Sequence, residues 1–126
     1  MPSVDVVDET FLAVPPEVVV GAFADPSDWA RYWPDLILDV YLDRGIQGLR
    51  WTVAGALVGT MEVWLEPVLD GTLLHYFLRA DLRGEASPKR VRQEVRRRQL
   101  AAKEVSLGLK LALEGGRPPG VAPALP

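Results

Sequence analysis

His75 is the only histidine in the chain, and so the only imidazole available to move a proton. Glu66 lies nine residues before it, and a hairpin turning at Asp70-Gly71 sets the two side by side. That spacing predicts a surface carboxylate–imidazole pair rather than a catalytic dyad. Nucleophilic catalysis needs a Ser, Thr or Cys next to a base. No Gly-x-Ser-x-Gly elbow or third orienting residue is visible, and cysteine is absent. One histidine among scattered carboxylates offers no metal-ligand spacing. The glycines at 45, 48, 55, 59 and 71 fall at strand ends and turns, not in a loop that cradles phosphate. The chemistry that remains is that of an apolar pocket with one or two polar groups, drawn from Tyr76, Arg50, Tyr41 and Arg31. No catalytic residue, metal or cofactor is expected.

The element that positions these residues is the stretch from Gly59 to Arg79, two β-rich runs around Asp70-Gly71. With that dipeptide as the turn, Leu69 faces Thr72, and the cross-strand pairs are Glu66/His75, Leu65/Tyr76, Trp64/Phe77, Val63/Leu78, Glu62/Arg79 and Met61/Ala80. One face carries Met61, Val63, Leu65, Leu74, Tyr76 and Leu78, apolar except for a phenol, and must meet a core or a cavity. The other mixes Glu62, Trp64, Glu66, Leu73, His75, Phe77 and Arg79. Its apolar members Trp64, Leu73 and Phe77 argue for a partner, the simplest being a second copy in a homodimer.

Around the hairpin the sequence predicts a strand from Val4 to Val14, ended by Pro15-Pro16, and a short helix from Glu17 to Ala24. Asp25 caps a second short helix that starts at Pro26, carries Trp29 to Trp33 and closes at Pro34. Strands follow over Leu36 to Asp43 and Leu49 to Gly55, the latter with Leu49, Trp51 and Val53 on one face opposite Arg50 and Thr52. Ser87 caps a long helix from Pro88 to about Glu114, stopped by Gly115-Gly116, with an apolar stripe of Val91, Val95, Ala102, Val105, Leu109 and Ala112. Residues 1–114 read as one domain, and 115–126, rich in proline and glycine, as a disordered tail.

Charge is unevenly distributed. From Pro88 to Lys110 eight basic residues face two acidic ones, a local +6 that leaves −9 for the rest of a chain of net charge −3. Successive helical residues point about 100° apart, so Arg96, Arg97 and Arg98 do not form one stripe. The run reads as a solvated face, or as the partner of the acidic remainder, and no nucleic acid is expected. The absence of cysteine, of a leader-like start and of any run of roughly 18 apolar residues predicts a cytoplasmic protein with no membrane insertion.

The order of strand, two short helices, antiparallel meander and long terminal helix is distinctive. So is the punctuation Val14-Pro15-Pro16-Glu17-Val18, Trp29…Trp33-Pro34-Asp35 and Trp64-Leu65-Glu66-Pro67…Asp70-Gly71-Thr72. Over about residues 3–114 these features resemble the helix-grip superfamily, also called START-like or SRPBCC, and within it the actinobacterial polyketide cyclase/dehydrase-like proteins. The resemblance implies an α+β fold in which a curved antiparallel sheet grips the C-terminal helix around an apolar cavity for a lipid, sterol or polyketide. Members usually have seven strands and this chain reads as five, with a hairpin missing after Gly55, so the cavity is expected to be shallower or more open. The expected lining is Trp33, Trp51, Met61, Val63, Leu65, Leu74, Tyr76, Leu78, Val105 and Leu109. The function implied is binding or carriage of a hydrophobic small molecule. The alternatives are a polyketide cyclase/aromatase-type enzyme, and an interaction module acting through the basic helix.

Overall fold

Alternating apolar and polar residues make each of five runs a strand with one wettable face, and hydrogen bonding joins them into a single antiparallel sheet. In the computed structural model, which describes residues 2–115, the elements are β1 (Val4–Leu12), α1 (Pro16–Gly21), α2 (Pro26–Tyr32), β2 (Leu36–Asp43), β3 (Gly48–Gly55), β4 (Leu57–Val68), β5 (Gly71–Leu82) and α3 (Pro88–Glu114). The strand order is β1-β5-β4-β3-β2. Of the tail anticipated at 115–126, only Gly115 is described, in the left-handed conformation that ends α3; the rest lies outside the described residues.

Capping set the helix boundaries much as the sequence predicts. The Asp25 carboxylate accepts from the Ser27 amide, and the Ser87 hydroxyl accepts from the Arg90 amide. The first helix is shorter than expected: it starts at Pro16 and ends at Gly21, not Ala24. The first strand stops at Leu12, two residues before Val14.

The hairpin departs from its predicted register. Val68 pairs with Gly71, so the loop residues are Leu69 and Asp70, and the opposing pairs are Glu66–Leu73, Leu65–Leu74, Trp64–His75, Val63–Tyr76, Glu62–Phe77 and Met61–Leu78. Every partner on β5 has moved by two places. Because side chains alternate with a period of two, the faces survive this shift unchanged. Gly71 is needed for closeness and not for the turn: a Cβ there would lie 2.5 Å from the Leu12 carbonyl oxygen and 2.5 Å from the Phe11 ring. Leu69 takes the positive φ, +55°, in its place.

The core lies on the inner face of the sheet, and two different layers cover it. The long helix runs along β1 and β5, while α1 and the aromatic residues of α2 cover the half formed by β3 and β4. Trp51 on β3 therefore meets Trp29 and Trp33 rather than the long helix expected opposite it. The α3 stripe is also more complete than predicted. Arg98 fills the turn skipped between Val95 and Ala102, Ser106 joins it, and Leu113 packs on the core where Ala112 was expected.

Candidate functional site

Ten residues were expected to line a pocket, and the fold brings them to one side of the sheet. Trp33, Trp51, Met61, Val63, Leu65, Leu74, Tyr76, Leu78 and Leu109 are buried, and Val105 is half-buried against them. The space between them is about 10 Å³, room for about one water. It is bounded by Trp33, Val63, Leu74, Tyr76 and Val105 together with Phe23, Ala102 and Ser106.

Aromatic rings from the ends of the two short helices and the residues just beyond them occupy this space. Trp33 stacks on Tyr76 at 6.1 Å between centroids and on Phe23 at 6.5 Å, and meets Trp51 edge-on at 5.8 Å. Trp29 closes the group edge-on to Trp51 at 5.4 Å, its indole N–H donating to the Phe23 carbonyl at 2.8 Å. The Nε1 atoms of Trp33 and Trp51 are buried with no acceptor among the described residues, so two donors face the interior unspent. Burial drives the Tyr76 hydroxyl well above the usual phenol range, against a smaller opposing pull from Arg98, so it stays protonated.

Outside Trp29 lies a larger opening that the sequence did not reveal. A cleft of about 470 Å³ runs between the α1–α2 segment and the turn joining β2 to β3, walled by Val20, Phe23, Trp29, Val40, Ile46 and Leu49. Val40 and Ile46 remain 40% and 49% exposed there. The cleft has one carboxylate, Asp43, whose Oδ1 already accepts from the Gly45 amide at 2.8 Å. No signal short of the three-dimensional fold places α2 across from this turn.

Of the polar residues considered for catalysis, none reaches the cleft: Tyr76 points into the core, Arg31 pairs with Asp28 on exposed α2, and Arg50 and Tyr41 share a hollow on the far side of the sheet. Among the described residues no group of three or more His, Asp or Glu side chains could hold a metal, and no helix is long and apolar enough to cross a membrane.

His75 pairs with Glu66 on the outer face as expected, with Nε2 to Oε1 at 3.0 Å, yet it is only 6% exposed. The reading of a surface pair is corrected by its neighbours. Trp64 stacks on the imidazole at 4.2 Å, Phe77 stacks on the other side at 6.2 Å, and Glu9 from β1 brings a second carboxylate to Nδ1 at 3.3 Å. Trp64, Leu73 and Phe77 are consequently half-buried, although Val7 and Phe11 beside them stay exposed.

Half of the basic helix is tied to the acidic remainder. Arg97 and Arg98 bind Asp35, Lys103 binds Asp8 at 2.8 Å, and Lys110 reaches the Phe11 carbonyl at 2.9 Å and Glu114 at 2.7 Å. Lys89, Arg90, Arg92 and Arg96 are exposed.

The sequence matches no protein-family model and no curated protein. The fold, by contrast, has solved counterparts. The Aha1 dimer from Colwellia psychrerythraea aligns with TM-score 0.62 at 16% identity, over 91% of this chain and 99% of that one. Protein Ms6760 from Mycobacterium smegmatis aligns with TM-score 0.66 at 11% identity, over 91% and 94% of the two chains. CalU16 from Micromonospora echinospora aligns with TM-score 0.60 at 14% identity, over 86% and 78%. The chain thus has the helix-grip fold, in a five-stranded form.

Proposed function

We propose that this protein binds and carries a small, largely apolar molecule in the cleft walled by Trp29. The cleft itself carries the reading. Its volume of about 470 Å³ lies within the range of about 300–1,000 Å³ common for small-molecule sites, and its walls are apolar. Exposed Val40 and Ile46 gain from being covered, by about 25 cal/mol for each Å² of apolar surface removed from water. Trp33, Trp51, Met61, Val63, Leu65, Leu74, Tyr76, Leu78, Val105 and Leu109 then act as the packed backing of the site. Binding is favoured over cyclase-type catalysis because none of the candidate polar side chains lines the cleft, which offers a single carboxylate.

The test is titration with a neutral apolar fluorophore while tryptophan emission is followed. Binding at micromolar concentration with a change in Trp29 emission is expected. Ala24→Trp, which fills the cleft from an exposed position, should abolish it without altering the unfolding midpoint. Binding that survives Ala24→Trp would remove the cleft from consideration.

A second reading concerns the outer face. Exposed Val7 and Phe11 extend the half-buried Trp64, Leu73 and Phe77 into one apolar patch, which supports a homodimer through that face. Sedimentation equilibrium showing a monomer at 100 μM or so would reject it.

A further inference from the structure

On the side of the sheet away from the three helices and the cleft there is a second hollow, of about 320 Å³, and its chemistry is different. Its floor is Thr60, a short side chain paired with Thr52 on one side and Arg79 on the other, so longer neighbours stand up around it. Phe77 and Arg79 form one wall and Arg50 another. Tyr41 supplies the last wall because β2 changes register between Val40 and Leu42, and the extra residue of that bulge is Tyr41.

Arg50 is held in place by one nitrogen only: its Nε donates to Glu62 Oε2 at 3.0 Å, and the same oxygen receives Arg44 Nη1 at 2.9 Å. No acceptor among the described residues engages the terminal Nη groups of Arg50. Arg79 has only a long contact, 3.9 Å from its Nε to Asp5. Two guanidinium groups with unspent donors therefore border a hollow that also offers a phenyl and a phenol ring.

We propose that this hollow binds a small aromatic acid, a planar ring bearing one carboxylate or sulfonate. The anion would be taken by Arg50 and Arg79, whose forked donors match a two-oxygen anion. The ring would lie against Phe77 and Tyr41. Charge selects a monoanion: Arg44, Arg50 and Arg79 face Glu62 and Asp5, which leaves a single positive charge to be met. Glu62 fixes the Arg50 fork before a ligand arrives, so little side-chain freedom is lost on binding. The sheet separates this site from the apolar cleft, and neither depends on the other.

Calorimetric titration of the full chain with 2-naphthoate and with its neutral isostere 2-naphthamide tests the assignment. Naphthoate should bind, and naphthamide roughly tenfold or more weakly, since charge-assisted hydrogen bonds are about twice as strong as neutral ones. Arg79→Met, at a position 68% exposed and so compatible with folding, should bring naphthoate down to the level of the amide. Ala24→Trp in the apolar cleft should leave naphthoate binding unchanged, and the amide resonances of Thr60 and Arg79 should shift while that of Val20 does not. Equal affinity for the two ligands, no binding of naphthoate at millimolar concentration, or loss of binding in Ala24→Trp but not in Arg79→Met would each overturn the proposal.

Discussion

Arg98 of α3 grips Asp35, the residue before β2, with both ends of its guanidinium: Nη1 donates to Oδ1 at 3.0 Å and Nη2 to Oδ2 at 2.7 Å. Its Nε also donates to Glu94 at 3.0 Å, so a side chain only 3% exposed is engaged through all three of its nitrogens. The same Asp35 accepts from Arg97 at 2.6 Å, and its carbonyl receives the Ala56 amide at the β3–β4 turn. One residue thus ties the long helix, the second short helix and the sheet together. Arg98→Ala should cost about 3 kcal/mol, because it leaves Asp35 and the little-exposed Glu94 short of a partner. Arg97→Ala, at a side chain 54% exposed, should cost about 1 kcal/mol or less. Urea unfolding that ranked Arg97 above Arg98 would contradict this arrangement.

The same cluster predicts how the fold responds to acid. Burial alone would raise the Asp35 carboxyl, but hydrogen bonds and charge from Arg98 and Arg97 outweigh it and hold the group at about 2, below its ordinary 3.8. Glu94 is lowered as well, its burial outweighed by the same two arginines. A carboxylate lowered on folding contributes fully above its unfolded value and loses that contribution as pH falls through the folded one. Melting temperature should therefore drop between about pH 4 and pH 2, and Asp35→Asn, less stable at neutral pH, should lose less over that interval. Parallel acid profiles for the two proteins would show that Asp35 is not responsible.

The β4–β5 turn carries strain that a substitution can release. Leu69 has φ +55° and is 97% exposed, so its side chain gains nothing for the conformation it adopts. A positive φ at the first loop position alone is the type II′ pattern, which favours glycine there. Leu69→Gly should raise stability by about 1 kcal/mol, whereas Gly71→Ala should lower it by more, because the added methyl meets the Leu12 carbonyl at 2.5 Å. If denaturation showed Leu69→Gly to be destabilising, Leu69 would be an ordinary strand residue and Asp70-Gly71 would be the turn after all.

His75 holds the outer face by stacking. His75→Ala removes the ring between Trp64 and Phe77 and leaves Glu9 and Glu66 without their shared partner, at an expected cost of about 1–2 kcal/mol. Binding in the Trp29 cleft should be unaffected, since the sheet lies between them. Weaker binding of the apolar fluorophore to the folded variant would show that the two faces are coupled.

Much of this was legible in the chain. Periodicity assigned Met61, Val63, Leu65, Leu74, Tyr76 and Leu78 to one face, and that assignment withstood a two-place error in register because the side-chain period is itself two. Asp25, Pro26, Ser87 and Gly115 marked helix ends because capping is local chemistry. The Asp-Gly pair misled because a glycine can be required by a neighbour distant in sequence, here Leu12, as readily as by its own turn. Arg98 lay hidden in the seven-residue gap of the helix stripe, since only the fold brings Asp35 to it across 63 positions. How much room the inward residues leave was also beyond pattern reading. Volume depends on how Phe23, Trp29 and Trp33 fill the space in three dimensions, and those rings close the interior and leave the opening outside Trp29. The sequence by itself determined which side chains face one another's side of the sheet; the tertiary structure decided where space remained, because packing is a property of all the neighbours at once.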